Sequence, residues 1–353
     1  YLFDRYPLQR LLLISVGAMT VSLLLLSQVH ALWQMSLLRF TLGFGASFAW
    51  VSMLVVGIRW FSPEGYDFKV GMAQCCSALG GMIGGSIVAY LLTILDWRQT
   101  FLCFAGVGAL LWCCMALFVI SEPEDNSDEE KQSLENLEAR LPVSTVLKKA
   151  YLSKAAWLIS IYTFCSYAPI TGFLEVWGSP YFMQYYAKSA ESVSYLFYAF
   201  WIGLAVSAFF VGWLASYLQK RVLLMGICAG VGAICFSVSI WGPHLSEVMM
   251  MCMLAGVGVS VAGQVLSFPL AHAWHDDNIL ATVIGLINFS GMVTGVLMSY
   301  LIGRGLGFYG PIVVKEGVPI YSLEPYNANI WIFPVLCLLG VLLACFALRE
   351  TRK

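Results

Sequence analysis

Ten apolar runs, each near or above the ~20 residues that an α-helix needs to cross a bilayer, leave this chain few folds to choose from. They fall at about 11–29, 32–58, 70–93, 99–120, 155–186, 193–217, 222–241, 248–273, 279–303 and 329–348 of the 353 residues. Lipid offers no partner to a backbone N–H or C=O, so a run of this kind is stable only as a helix or in a closed barrel. The runs are too long for barrel strands of 9 to 11 residues, and only 11% of the chain is charged, against about 25% in soluble domains. The sequence therefore predicts an all-α integral membrane protein.

The basic residues orient it. With ten spans both ends lie on one side, and placing Tyr1 in the cytoplasm puts fourteen Lys and Arg inside and four outside: Arg98, Lys188, Arg304 and Lys315. That excess follows the positive-inside rule. The remaining cation, Arg39, falls within a span. A net charge of −1 with no basic tract gives nucleic acid no electrostatic footprint. The 11 cysteines sit inside apolar runs without the spacing of a zinc or haem site, so no metal or cofactor is expected. The lone long polar stretch, Ser121 to Lys154, carries eight acids and then a basic segment. Ser127 with Glu130 forms a capping box for a short amphipathic helix that Pro142 ends.

An internal repeat sets the architecture. Arg39, Gly43, Gly45, Ser47 and Ala49 register on Cys252, Gly256, Gly258, Ser260 and Ala262, and Gly81, Met82 and Gly85 on Gly291, Met292 and Gly295. Parallel repeats of this size are one plan on which transporters are built.

Several motifs carry a family resemblance. The arginine followed by Gly43 and Gly45 resembles the fourth-helix motif of major facilitator superfamily transporters. The opening YLFDRYPLQR resembles their loop between helices two and three, with Asp4, Arg5 and Arg10 matching. The second-half copy, GWLASYLQKR, keeps Lys220 and Arg221 but has Ser216 where the family's acid stands, which implies a weaker latch. Gly71 to Gly85 resembles the glycine-rich fifth helix and lacks the Gly-Pro pair of drug/proton antiporters. Asp96-Trp97-Arg98-Gln99, the loop GPIVVKEGVPIYSLEPY with a hairpin-like Gly317, and the terminal LRET resemble proteobacterial carriers of unassigned substrate.

The resemblance implies a major facilitator fold with ten of twelve helices present, the first two lacking. Residues 1–120 would form the N-terminal bundle (helices three to six), 121–153 a cytoplasmic linker, and 154–353 the C-terminal bundle (helices seven to twelve). It places the protein in a bacterial inner membrane with both ends cytoplasmic.

Candidate site residues follow. Charge inside a membrane marks a substrate or ion path by default, and Glu175 is the one acid within the apolar runs as drawn. Arg39 and Glu175 either face one cavity, dividing a zwitterionic or anionic substrate, or snorkel to the outer interface. Tyr167, Gln264 and Asn288 are the expected hydrogen-bonding lining; Asp4, Arg5, Arg10, Lys220 and Arg221 are the expected conformational gate. His272 and His275, beside Asp276 and Asp277, cap a helix end or form a pH-sensitive latch. The expected activity is proton-coupled symport of a small polar solute: an organic anion, an amino acid or a dipeptide. Drug or metabolite efflux is the alternative within transport. A membrane enzyme is disfavoured because the four histidines are scattered over both sides, and a fragment that folds without transporting is the last alternative.

Overall fold

The computed structural model describes residues 8–59, 64–119, 142–315 and 318–348. Asp4, Arg5, the Ser127–Glu130 capping box, Gly317 and the terminal LRET beyond Leu348 lie outside the described residues. Among the described residues, ten segments are long and apolar enough to cross a membrane. The chain divides into two compact units, one of Tyr1–Pro63 with Ile83–Leu147 and one of Glu64–Met82 with Lys148–Lys353.

The first unit is built on α1 (Leu8–Leu26), α2 (Leu32–Arg59), the second part of α3 (Tyr66–Ile94) and α4 (Trp97–Phe118). Helix α1 packs on both α2 and α4. Gly45 explains the first contact: a Cβ there would sit 2.9 Å from the Ser15 carbonyl oxygen, and the Ser15 hydroxyl donates to the Gly45 carbonyl at 2.6 Å. Small residues bring helices this close in membranes. Its motif partner Gly43 faces open space. The Asp96-Trp97-Arg98-Gln99 motif starts α4. Asp96 caps the helix in a reciprocal box with Gln99, while Arg98 stacks 4.0 Å over the Trp97 ring and donates to the Val29 carbonyl.

The second unit begins with the first part of α3 and takes in the amphipathic α5 (Val143–Leu152) from Lys148 onward. Then come α6 (Lys154–Ala168), a π-turn over Pro169–Leu174, α7 (Gly178–Tyr186), the four-residue α8 (Ala190–Val193) and α9 (Tyr195–Leu218). After these follow α10 (Arg221–Trp241), α11 (Glu247–Ala262), a 3₁₀ turn at Gly263–Leu266, α12 (Ser267–Trp274) and α13 (Asp277–Tyr309). A two-stranded hairpin, β1 (Val313–Lys315) and β2 (Val318–Ile320), leads to α14 (Leu323–Ile330), α15 (Ile332–Leu342) and a closing π-turn at Leu343–Ala347. The hairpin pairs Val313 with Ile320 and Lys315 with Val318, as the sequence around Gly317 led one to expect.

Three spans are interrupted, at Pro169–Leu174, at Gly263–Leu266 and at Trp331, and proline accounts for the first two. Pro169 has no N–H to give the Cys165 carbonyl four residues back, and the ladder widens to i→i+5, with the Glu175 N–H donating to the Ile170 carbonyl at 3.0 Å. The helix stops there and restarts at Gly178, close to the second break expected from Gly178-Ser179-Pro180. Pro269 likewise withholds a donor from Val265, and the turn before it tightens to 3₁₀. Between these spans lies the core of the unit, with Tyr162, Phe182, Phe200, Phe268 and Phe333 fully buried.

Candidate functional site

The interior of the second unit is organised by a polar stripe on α6. Ser160, Thr163 and Tyr167 recur at helical spacing on one face, and two neighbouring helices tie to it. The Thr163 hydroxyl donates to the Ser267 hydroxyl of α12 at 2.9 Å. From α13, the Ser290 hydroxyl donates to the Ser160 carbonyl at 2.8 Å and the Thr294 hydroxyl to the Phe164 carbonyl at 3.2 Å. On the other side Tyr162 donates to the Met225 carbonyl of α10 at 2.7 Å. These bonds fix α6 against three helices where apolar contact with lipid tails could not.

Gln264 stands out within this frame. It lies in the 3₁₀ turn, 5% exposed, and its carbonyl oxygen Oε1 has no partner among the described residues. A buried acceptor left unpaired costs about 1–3 kcal/mol, so such a group calls for a donor from elsewhere. The Ser160 hydroxyl is orphaned in the same way. Tyr167 is half-buried, and Glu175 follows the π-turn at an exposed position. Asn288 is half-buried on α13, two residues before Ser290. The structure thus gathers Tyr167, Glu175, Gln264 and Asn288 in one unit.

Arg39 belongs to the other unit. It is exposed on α2, its guanidinium carbon 5.7 Å from the centre of the Phe101 ring. Arg10 is exposed on α1, and Lys220 is exposed between α9 and α10.

Arg221 has a partner that the sequence reading missed. Its Nε and Nη2 donate to the two carboxylate oxygens of Asp67 at 2.5 and 2.8 Å, a bidentate fork. Asp67 is 2% exposed at the start of α3, in the part of that helix that belongs to the second unit. Ser216 stands where the family resemblance led one to expect an acid. The acid missing at that position is supplied by Asp67, and the Ser216 hydroxyl accepts instead from the Phe68 N–H at 3.1 Å. One turn further on, Gly71 and Gly212 let the two helices touch through backbone: a Cβ on Gly212 would lie 2.7 Å from the Asp67 carbonyl oxygen and 2.9 Å from the Gly71 Cα. The sequence signal for Asp67 was present but fell outside an apolar run drawn from Val70.

The two histidines at the end of α12 differ. His275 bonds the Ser153 hydroxyl through Nε2 at 2.8 Å and the Ala271 carbonyl through Nδ1 at 3.1 Å. A carbonyl only accepts, so Nδ1 carries the proton and Ser153 donates to Nε2 when the ring is neutral. His272 packs its ring on Tyr66 at 5.6 Å, and its Nδ1 has no partner among the described residues.

Comparison with known proteins accords with this architecture. The sequence pattern described as Major Facilitator Superfamily matches residues 1–299. The chain is 25% identical over 289 residues to the chloroplastic ascorbate transporter of Arabidopsis thaliana, covering 76% of this chain and 52% of that protein. It is 21% identical over 287 residues to the hexuronate transporter of Bacillus subtilis (strain 168), covering 75% and 65%. It therefore spans between half and two thirds of the length of these relatives. Among solved structures, a bacterial homologue of the human lysosomal transporter Spinster, in an inward-facing and unoccupied conformation, superposes with a TM-score of 0.65 over 99% of this chain and 85% of that one, at 13% identity.

Proposed function

The chain belongs to the Major Facilitator Superfamily, and from that premise we propose that it is a secondary transporter of hydroxylated organic anions, working by proton-coupled symport and alternating access. As a multi-pass membrane protein it would sit in a bacterial inner membrane with both ends of this chain in the cytoplasm, in keeping with its Lys and Arg distribution.

The observation that carries the reading is Gln264. Its unpaired Oε1 stands in the middle of a membrane-crossing segment, at a turn that departs from the α-helix, and an acceptor in that position is satisfied by a hydroxyl from a passing solute. Tyr167 and Asn288 add hydrogen-bonding capacity in the same unit. Glu175 is the protonatable group and Arg39 the cation for a carboxylate. The two relatives named above for ascorbate and hexuronate are named for solutes that combine hydroxyl groups with acidity, which supports this class over amino acids and dipeptides. The interrupted spans supply the moving parts, since short departures from α-geometry mark functional hinges.

Uptake into proteoliposomes holding the full-length protein, under an imposed pH gradient, tests this directly. Hexuronates and ascorbate are expected to accumulate with the proton gradient, Gln264→Leu to raise KM about tenfold or more, the cost of a lost hydrogen bond, Arg39→Ala to abolish uptake, and Glu175→Gln to uncouple it from pH. Uptake that survives all three substitutions would sink the assignment.

A further inference from the structure

We propose that a cavity at the first turn of α10 is a binding site for the phosphodiester head group of an acidic phospholipid. The cavity has a volume of about 290 Å³ and is walled by Lys220, Arg221, Leu223, Leu270, Trp274 and Leu348. That is the small end of the range for ligand sites, about 300–1,000 Å³: room for a head group but not for acyl chains.

Its chemistry is that of an anion site with an apolar edge. Among the described residues two cations line it and no carboxylate does. The Lys220 ammonium is exposed and has no partner among the described residues. Arg221 spends only one edge of its fork on Asp67, through Nε and Nη2. A guanidinium has five N–H donors, so three remain for a second anion without displacing the first. Asp67 cancels one of the two positive charges, which leaves the cluster at a net +1. A phosphodiester monoanion matches that balance.

The surface beside the cavity suits the rest of a lipid. Leu223 and Ile227 stand one turn apart on α10, 48% and 52% exposed, and Leu342 and Phe346 on the last span are 53% and 68% exposed. Helix α10 and the last span meet closely behind them, where a Cβ on Gly226 would lie 3.3 Å from the Ala344 Cβ. Acyl chains would run along this apolar face while the phosphate sits among the cations, and Trp274 is of the type that gathers at the head-group level.

The experiment is native mass spectrometry of the delipidated full-length protein titrated with phosphatidylglycerol, phosphatidylcholine or inorganic phosphate. Wild type is expected to retain phosphatidylglycerol in preference to phosphatidylcholine. Lys220→Gln should weaken that binding about fivefold, the pull of one basic residue on an acidic lipid, and Lys220→Arg should restore it. Lys188→Gln is the control. Lys188 stands beyond the far end of α9, whose 24 residues put it about 36 Å away at ~1.5 Å per residue, and it should change nothing. Unchanged phosphatidylglycerol binding in Lys220→Gln, an equal loss in Lys188→Gln, or phosphatidylcholine bound as tightly as phosphatidylglycerol would each overturn the proposal. Inorganic phosphate displacing the lipid at equal concentration would overturn it too, by giving the cavity to a free anion.

Discussion

In the second unit the pairs Asp67–Arg221 and Lys188–Glu247 stand near the two ends of α9, and they are made of the same chemistry in opposite surroundings. Asp67 and Arg221 meet edge to edge with side-chain exposures of 3% and 24%. Lys188 and Glu247 meet in the open, at 43% and 36%, with the Tyr195 hydroxyl also donating to Glu247. An exposed pair is worth roughly 0.2–1 kcal/mol, because water and salt compete for both partners. A sheltered pair adds little net stability over an apolar filling, yet breaking it is costly, since a largely sheltered charge is left behind without its partner. The contrast teaches that the Asp67 end works as a commitment and the Glu247 end as an adjustable clasp.

The comparison is broken most directly at Asp67. Asp67→Asn preserves shape and removes the charge, and is expected to lower stability by about 3–5 kcal/mol, read as a shifted midpoint in denaturant. A loss below 1 kcal/mol would place the two pairs in the same class. A buried but uncharged pair gives a yardstick between them: a double-mutant cycle of Thr163→Val and Ser267→Ala should show a coupling of about 0.6 kcal/mol, not above about 1.7. Coupling as large as the Asp67 loss would mean that burial alone sets the difference, charge adding nothing. The smallest effect belongs to Lys188→Gln, within about 1 kcal/mol. It should vanish near 1 M salt, where the screening length falls to about 3 Å; a salt-independent loss would show the clasp to be sheltered after all. Glu247→Gln should cost more than Lys188→Gln, because the carboxylate serves two donors and the amide keeps a single acceptor oxygen for them.

Much of this could be read from the chain because it is local or periodic. The ten spans follow from run length, and the hairpin around Gly317 from residues within a few positions of each other. The break in the span after Lys154 follows from Pro169 and from Gly178-Ser179-Pro180. What stayed hidden is long-range. Asp67 and Arg221 are 154 positions apart and Thr163 and Ser267 are 104 apart, and no periodicity links them. Asp67 was lost for a simpler reason: apolar scoring starts a span at its first greasy residue, whereas α3 starts at Tyr66, so a sheltered acid in the first turn is counted as loop. Gln264 was singled out by type, but only the packing reveals that its oxygen is left without a donor. Of the two motif glycines, Gly45 is a contact and Gly43 is not, a distinction that spacing alone does not make.

The π-turn after Pro169 has a consequence for reading the span it interrupts. An α-helix advances about 100° per residue, so the one residue absorbed by the wider turn re-phases everything beyond it. A helical wheel drawn from Lys154 through Tyr186 at a single period misassigns the faces of its second part, Glu175 included. The span is two wheels in different registers. Deleting one residue within Pro169–Leu174 would merge them into a single register, and the side chains beyond would keep their places.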